Sequence, residues 1–210
     1  METTKNYTVI TGASSGIGRK TAKAFAGRGK NLIVAARRTE NLEALKREIL
    51  ERHPTLDVVI RTVDLSVLEN VYQFYSSLKD FQLETWVNNA GFGNYDSVAQ
   101  HCATKFYVST FTEGLAWELI ETGAKMRAKV LAPAATQTEF GRKANNVDTY
   151  DYDKAFGTYH TSQQMAEFLL KLYDSDSTLG IVDRETFQFE LRPPMFPYAN
   201  SSTHNQHLSK

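Results

Sequence analysis

Two kinds of chemistry can be read from residue types and spacing alone. The first is anion binding. Thr11-Gly12-Ala13-Ser14-Ser15-Gly16-Ile17-Gly18 follows an apolar run with Tyr7, Val9 and Ile10 and precedes a small-residue helical face of Thr21, Ala22, Ala24, Phe25 and Ala26, so the chain turns there from strand into helix. Gly12, Gly16 and Gly18 permit positive φ, close approach of a ligand and close packing of helix on strand. The unpaired N–H groups of the first helical turn, with the positive end of the helix dipole, favour an anion, most naturally a pyrophosphate. The second is proton transfer. His101 and Lys105 stand four residues apart, on one face of a helix, where the cation favours a neutral imidazole that is a usable base and a poor acid. The competing reading of His101 is a residue that merely begins a helix.

The elements that must position these groups alternate along the first half. The first helix ends at Gly27-Arg28-Gly29, a left-handed cap, and a second apolar strand runs from Asn31 to Ala36. That strand leads into Arg37-Arg38, two cations able to pair with a phosphate where no carboxylate stands. Thr39 is placed to cap a helix carrying Leu42, Leu45, Ile49 and Leu50, which stops before His53-Pro54. A third strand, Val58 to Val63, ends at Asp64-Leu65, and Ser66-x-x-Glu69 reads as a capping box for a helix with Val71, Phe74 and Leu78 inward. Trp86-Val87 then leads into Asn88-Asn89-Ala90-Gly91. Only nine residues separate Gly91 from His101, whereas a helix and a strand together need roughly 20.

Bulk composition bounds the partners. The 210 residues are 41% hydrophobic and 23% charged, which suits one globular unit with a sizeable core, and 24 cationic residues cancel 24 acidic ones. This excludes the basic footprint of a nucleic-acid binder. A single cysteine, Cys102, leaves no internal disulfide. Without a signal peptide or a long apolar run, the expectation is a cytoplasmic chain that does not enter a membrane. No spacing suggests a metal site, and His204 and His207 fall in a polar stretch.

The string TGASSGIG, with its GxxxGxG spacing, and the later NNAG tetrapeptide resemble the short-chain dehydrogenase/reductase family. The resemblance implies a Rossmann-like, doubly wound parallel α/β sheet and a dinucleotide held by Gly12, Ser14, Ser15, Gly16, Ile17 and Gly18. It puts Arg37, with Arg38 beside it, where arginine goes with a 2′-phosphate, so NADP(H) is expected over NAD(H). Asp64 and Leu65 match the adenine-contacting pair, and Asn89, Ala90 and Gly91 match the segment lining the cleft. The segment from His101 matches the YxxxK helix, with Lys105 as its lysine, touching cofactor and reaction alike, and His101 in the tyrosine's place. The serine-bearing strand has no counterpart. Leu131 to Thr138 resembles the PGxxxT segment, giving Thr138 the nicotinamide carboxamide. Residues 139–160, with Phe140, Tyr150, Tyr152, Phe156 and Tyr159, match the substrate lid, and their composition suits a small apolar or aromatic carbonyl compound or ordinary packing over the sheet edge.

Two functions follow from the resemblance: an NADP(H)-dependent oxidoreductase acting on a carbonyl or secondary alcohol, or a catalytically impaired nucleotide-binding domain of the same family. Architecturally, the expected sheet is shortened by one central βα unit and closed up, a helix from His101 to Thr122 crossing over to a strand Met126–Leu131 beside the NNAG strand. The alternative is a domain exposing the core faces of its helices. Thr161-x-x-Gln164 caps a helix with Met165, Phe168, Leu169 and Leu172 inward, and Ile181-Val182 with Phe187, Phe189 and Leu191 reads as the last strand and its extension. Residues 1–198 are expected to form a single dinucleotide-binding domain and 199–210 a disordered polar tail. Homo-oligomer contacts, built in the family by helices flanking the active site, are left open by the missing unit.

Overall fold

A run of four βα units builds the first half of the computed structural model, which describes residues 5–91 and 98–196, with side chains of 98–102 outside the description. Strands β1 (Asn6–Thr11), β2 (Asn31–Ala36), β3 (Val58–Thr62) and β4 (Gln82–Val87) form a wholly parallel sheet in the order β3-β2-β1-β4. Helices α1 (Gly16–Ala26), α2 (Thr39–Arg52) and α3 (Leu68–Ser76) make the crossovers. Side chains alternate along each strand, so the two central strands bury both faces. On one face Ile10, Leu32 and Val34 pack with Phe25, Leu42, Leu45 and Ile49 of α1 and α2. On the other, Tyr7, Val9, Ile33 and Ala35 pack with Phe74 and Leu78. This is the doubly wound parallel arrangement expected from the sequence.

Two caps differ from expectation. Thr39 does not cap α2: the N-cap is Arg38, and the Thr39 hydroxyl bonds the Thr62 hydroxyl at 2.8 Å. Ser66 and Glu69 form no capping box. Val67 is the N-cap of α3, and Ser66 instead donates its amide and hydroxyl to Asp64 Oδ1 at 3.0 and 2.7 Å, an Asx turn that competes for the same hydroxyl. The Thr161–Gln164 box forms as read, opening helix α7 (Ser162–Asp174).

Beyond β4 lies the largest departure. Helix α4 spans Val98–Glu121 and leads not to a neighbour of β4 but to a second sheet, in which β5 (Val130–Ala132) pairs parallel with β8 (Leu179–Val182) and β8 pairs antiparallel with β9 (Phe189–Arg192). Among the described residues β4 pairs with β1 alone, so the closed-up sheet is not formed. The physical reason is visible in α7. It lies against α1, with Leu169 and Leu170 on the first core, Tyr173 edge-on to Phe25 at 5.2 Å, and Asp174 paired with Arg28. Helix packing, not a ladder to β4, therefore fixes the second sheet. The strand expected at Met126 starts only at Val130, where pairing with Leu179 begins.

The consequence is exposed apolar surface. Leu83 and Trp86 of β4 and Phe106, Tyr107, Val108 and Phe111 of α4 are all exposed, as the alternative of uncovered helix faces requires. Among the described side chains of α4, Glu113 and Ala116 are buried, and Glu113 is the charged one. It is 1% exposed, and its carboxylate accepts the amides of Met195 and Phe196 at 2.7 and 3.0 Å.

Two-residue strands β6 (Thr136–Gln137) and β7 (His160–Thr161) pair with each other, and between them lie helices α5 (Glu139–Ala144) and α6 (Tyr152–Phe156). The expected polar tail from Ala199 lies outside the described residues.

Candidate functional site

At the carboxyl ends of β1 and β4 the chain folds on itself through one hydroxyl. Thr11 Oγ1 accepts the amides of Asn89 and Ala90 at 3.1 and 3.0 Å, while Asn89 Nδ2 donates to the Thr11 carbonyl at 3.0 Å. These bonds seat the NNAG segment beside the glycine turn. They also explain two glycines. A Cβ on Gly12, which has φ +68, would lie 2.7 Å from Asn89 Nδ2, and one on Gly18 would lie 2.5 Å from the Gly12 carbonyl oxygen. Gly16 meets a different neighbour, since its Cβ would touch Thr138 at 3.3 Å.

Ser15 is the N-cap of α1, yet its side chain caps nothing. The hydroxyl instead accepts from Arg38 Nη2 at 2.7 Å, with Ser14 Oγ accepting from the same nitrogen at 3.3 Å. The first turn of α1 therefore keeps its amide donors free of any side-chain cap, and a guanidinium stands beside them. A phosphate group fits this donor set.

Arg37 and Arg38 part company at the end of β2. Successive side chains diverge there: Arg38 reaches the serines, while Arg37 lines a cavity of about 440 Å3 with Arg61, Asp64, Asn70, Gln73 and Phe74. Asp64 in that cavity is held below the usual carboxylate range, chiefly by the Ser66 hydroxyl. Leu65 packs partly against the second core.

Lys105 is exposed on α4, with its Nζ 4.0 Å from where a Gly91 Cβ would be. The structure thus brings Lys105 to the end of the NNAG segment. His101 lies in the same helix one turn earlier, its side chain outside the described residues. Thr138 is engaged as the N-cap of α5, accepting the Phe140 amide at 3.0 Å. The aromatics of 139–160 largely pack on one another around Tyr152, which is ringed by Tyr150, Phe156 and Tyr159 at 4.9 to 5.8 Å.

The ion pair of Arg38 with Glu139 is a feature that no sequence pattern signalled. Glu139 Oε1 accepts from Arg38 Nη1 at 3.2 Å, and Oε2 lies 2.8 Å from Nη2 and 3.1 Å from Lys143 Nζ. The Arg38 hydrogen bond and the Lys143 ammonium pull the Glu139 carboxyl down to about 2. The only available hint was the acid beside Thr138.

The fold is of the Rossmann-like α/β class, a parallel sheet with a glycine turn and an uncapped helix at its carboxyl edge. Comparison with known proteins narrows this. Residues 6–101 match the family model for short chain dehydrogenase. An uncharacterized oxidoreductase of Mycobacterium tuberculosis is 36% identical over 92 residues, covering 43% of this chain and 36% of the relative. Hydroxysteroid dehydrogenase-like protein 1 of Gallus gallus is 28% identical over 182 residues, covering 79% of this chain and 52% of the relative. The matched part thus spans about half or less of these relatives' own lengths. Among solved structures, a short-chain dehydrogenase from Sphingobium yanoikuyae in complex with NADPH superposes with a TM-score of 0.68 at 21% identity, covering 84% of this chain and 87% of that one. Among the described residues no group of His, Cys, Asp and Glu could hold a metal ion, and no helix is long and apolar enough to cross a membrane.

Proposed function

We propose that this chain binds a nicotinamide dinucleotide, NADP(H) over NAD(H), in a single domain, at the corner formed by the glycine turn, Arg37, Arg38 and the Asn89–Gly91 segment. The observation that carries the reading is the uncapped first turn of α1 with Arg38 on Ser14 and Ser15. Those donors hold phosphate oxygens, Asp64 and Leu65 flank the adenine, and Arg37, exposed beside Asp64, takes the 2′-phosphate. Relatives and neighbours named as NADPH complexes or oxidoreductases support the same ligand class.

When bound, the dinucleotide supplies a hydride donor or acceptor. Around it, Lys105 near Gly91 lowers the cost of negative charge on a substrate oxygen, and Thr138 orients the carboxamide. The proton donor expected beside that oxygen is a tyrosine in the family and His101 here. Binding with impaired turnover is accordingly the leading reading. Oxidoreduction of a small apolar or aromatic carbonyl or secondary alcohol is the second, favoured by Lys105 standing at the end of the NNAG segment.

Titration with NADPH and NADH, followed by incubation of bound NADPH with a panel of carbonyl compounds, tests both. The expected result is saturable NADPH binding, with Arg37→Ala weakening NADPH about tenfold or more and NADH far less. Equal losses would remove the 2′-phosphate role, and absence of binding by either coenzyme would overturn the reading. Coenzyme oxidation by any of the compounds would move the chain to the second reading.

A further inference from the structure

Three contacts converge on the short segment that begins at Thr138. Arg38 spends one edge on Ser15 and Ser14 of the glycine turn and the other on Glu139, and Thr138 packs against Gly16 of that same turn. From the opposite side Tyr152 holds the segment through its hydroxyl, which donates to the Thr138 carbonyl and accepts the Gly141 amide, both at 3.1 Å. Residues 138–144 therefore lie as a strap over the turn, fastened at its entry by a carboxylate on the guanidinium that faces the phosphate donors.

We propose that Glu139 is a resident stand-in for phosphate: it latches the 138–144 strap over the glycine turn through Arg38, and a phosphate-bearing ligand opens the strap by taking the guanidinium from it. The inference rests on the dinucleotide-site reading above. Its logic is competition at one fork. A guanidinium offers five N–H donors in a fixed plane, and a phosphate monoester brings more charge and more acceptor oxygens than a carboxylate. Glu139 and Arg38 are both more than a third exposed, so their pair is weakly held and exchangeable. Lys143, already beside Glu139, keeps the displaced carboxylate neutralised within the strap, one helical turn along. The latch also divides labour between the adjacent arginines: Arg38 is occupied until ligand arrives, whereas Arg37 is exposed from the outset.

The test uses the whole chain, wild type and Glu139→Gln, titrated calorimetrically with adenosine 2′,5′-bisphosphate, and hydrogen exchange of the Phe140–Ala144 amides with and without that nucleotide. Glu139→Gln should bind it about fivefold tighter than wild type, and Glu139→Asp should fall between. In wild type the nucleotide should speed exchange at Phe140–Ala144, and in Glu139→Gln exchange should be fast already. Unchanged affinity in the variant, or unchanged protection in ligand-bound wild type, would overturn the latch while leaving the binding site standing. Failure of every variant to bind either this nucleotide or NADPH would instead remove the site, and the latch with it.

Discussion

Strands β1 and β4 are hydrogen-bonded neighbours, yet they live in different environments. From Tyr7 to Thr11 every residue of β1 is buried, whereas β4 is exposed at four of its six positions and half-buried at the other two. The difference comes from what flanks each strand. β1 has β2 and β4 on its edges and helices over both faces, while β4 has β1 on one side and no ladder partner on the other among the described residues. The lesson is that the glycine-turn corner and the far side of β4 are built to different standards. The corner rests on sealed strands. The far side of β4 carries exposed Trp86, and helix α4 shows aromatic side chains to solvent.

This contrast can be broken by paired substitutions. Phe25→Ala, beneath α1 on the sealed side, should cost about 3 to 5 kcal/mol in urea unfolding, because Phe25 is fully buried between the sheet core and Tyr173. Leu83→Ser on β4 should cost under about 1 kcal/mol; a loss as large as that of Phe25→Ala would show that β4 is covered in solution.

A middle-sized effect should come from Thr11→Val, which preserves volume and β propensity. It removes the acceptor for the Asn89 and Ala90 amides and should cost about 1 to 3 kcal/mol. It should also weaken nucleotide binding by loosening the seam between the two strands, measured in the same preparation.

The smallest effect is electrostatic. The Glu139 carboxyl titrates lower in the folded chain, at about 2 against an ordinary 4.5. Its pairing therefore stabilises the fold fully above the ordinary value and is lost as pH falls from there toward about 2. Because both partners are over a third exposed, the effect stays under about 1 kcal/mol. Wild type should exceed Glu139→Gln in stability near neutrality, and the gap should close with acid.

How legible the molecule was in its sequence follows the range of the interactions involved. β2 was readable to the residue because a doubly covered parallel strand is an uninterrupted apolar run, and the Thr161–Gln164 box because its partners are three residues apart. Ser66 misled because two local acceptors compete for one hydroxyl, and Asp64 won. Phe187 misled for a similar reason. It sits at φ +57 in a turn organised by the Asp183 carboxylate rather than in a strand, so β8 and β9 form a hairpin. The glycine turn, a local object, was legible as a strand-to-helix connection with positive φ at Gly12 and Gly16. The link from Arg38 to Glu139 spans 101 positions and depends on how the second sheet docks, which no local pattern encodes.

The seating of α7 on α1 has a broader consequence. A strand ladder demands an unbroken series of neighbours, so a missing rung would leave everything beyond it adrift. Here an aromatic edge contact and an arginine clasp, Phe25 with Tyr173 and Arg28 with Asp174, rivet the distal half directly to the scaffold under the glycine turn. An architecture joined in this way can be interrupted at its centre and still deliver its last third to the correct address.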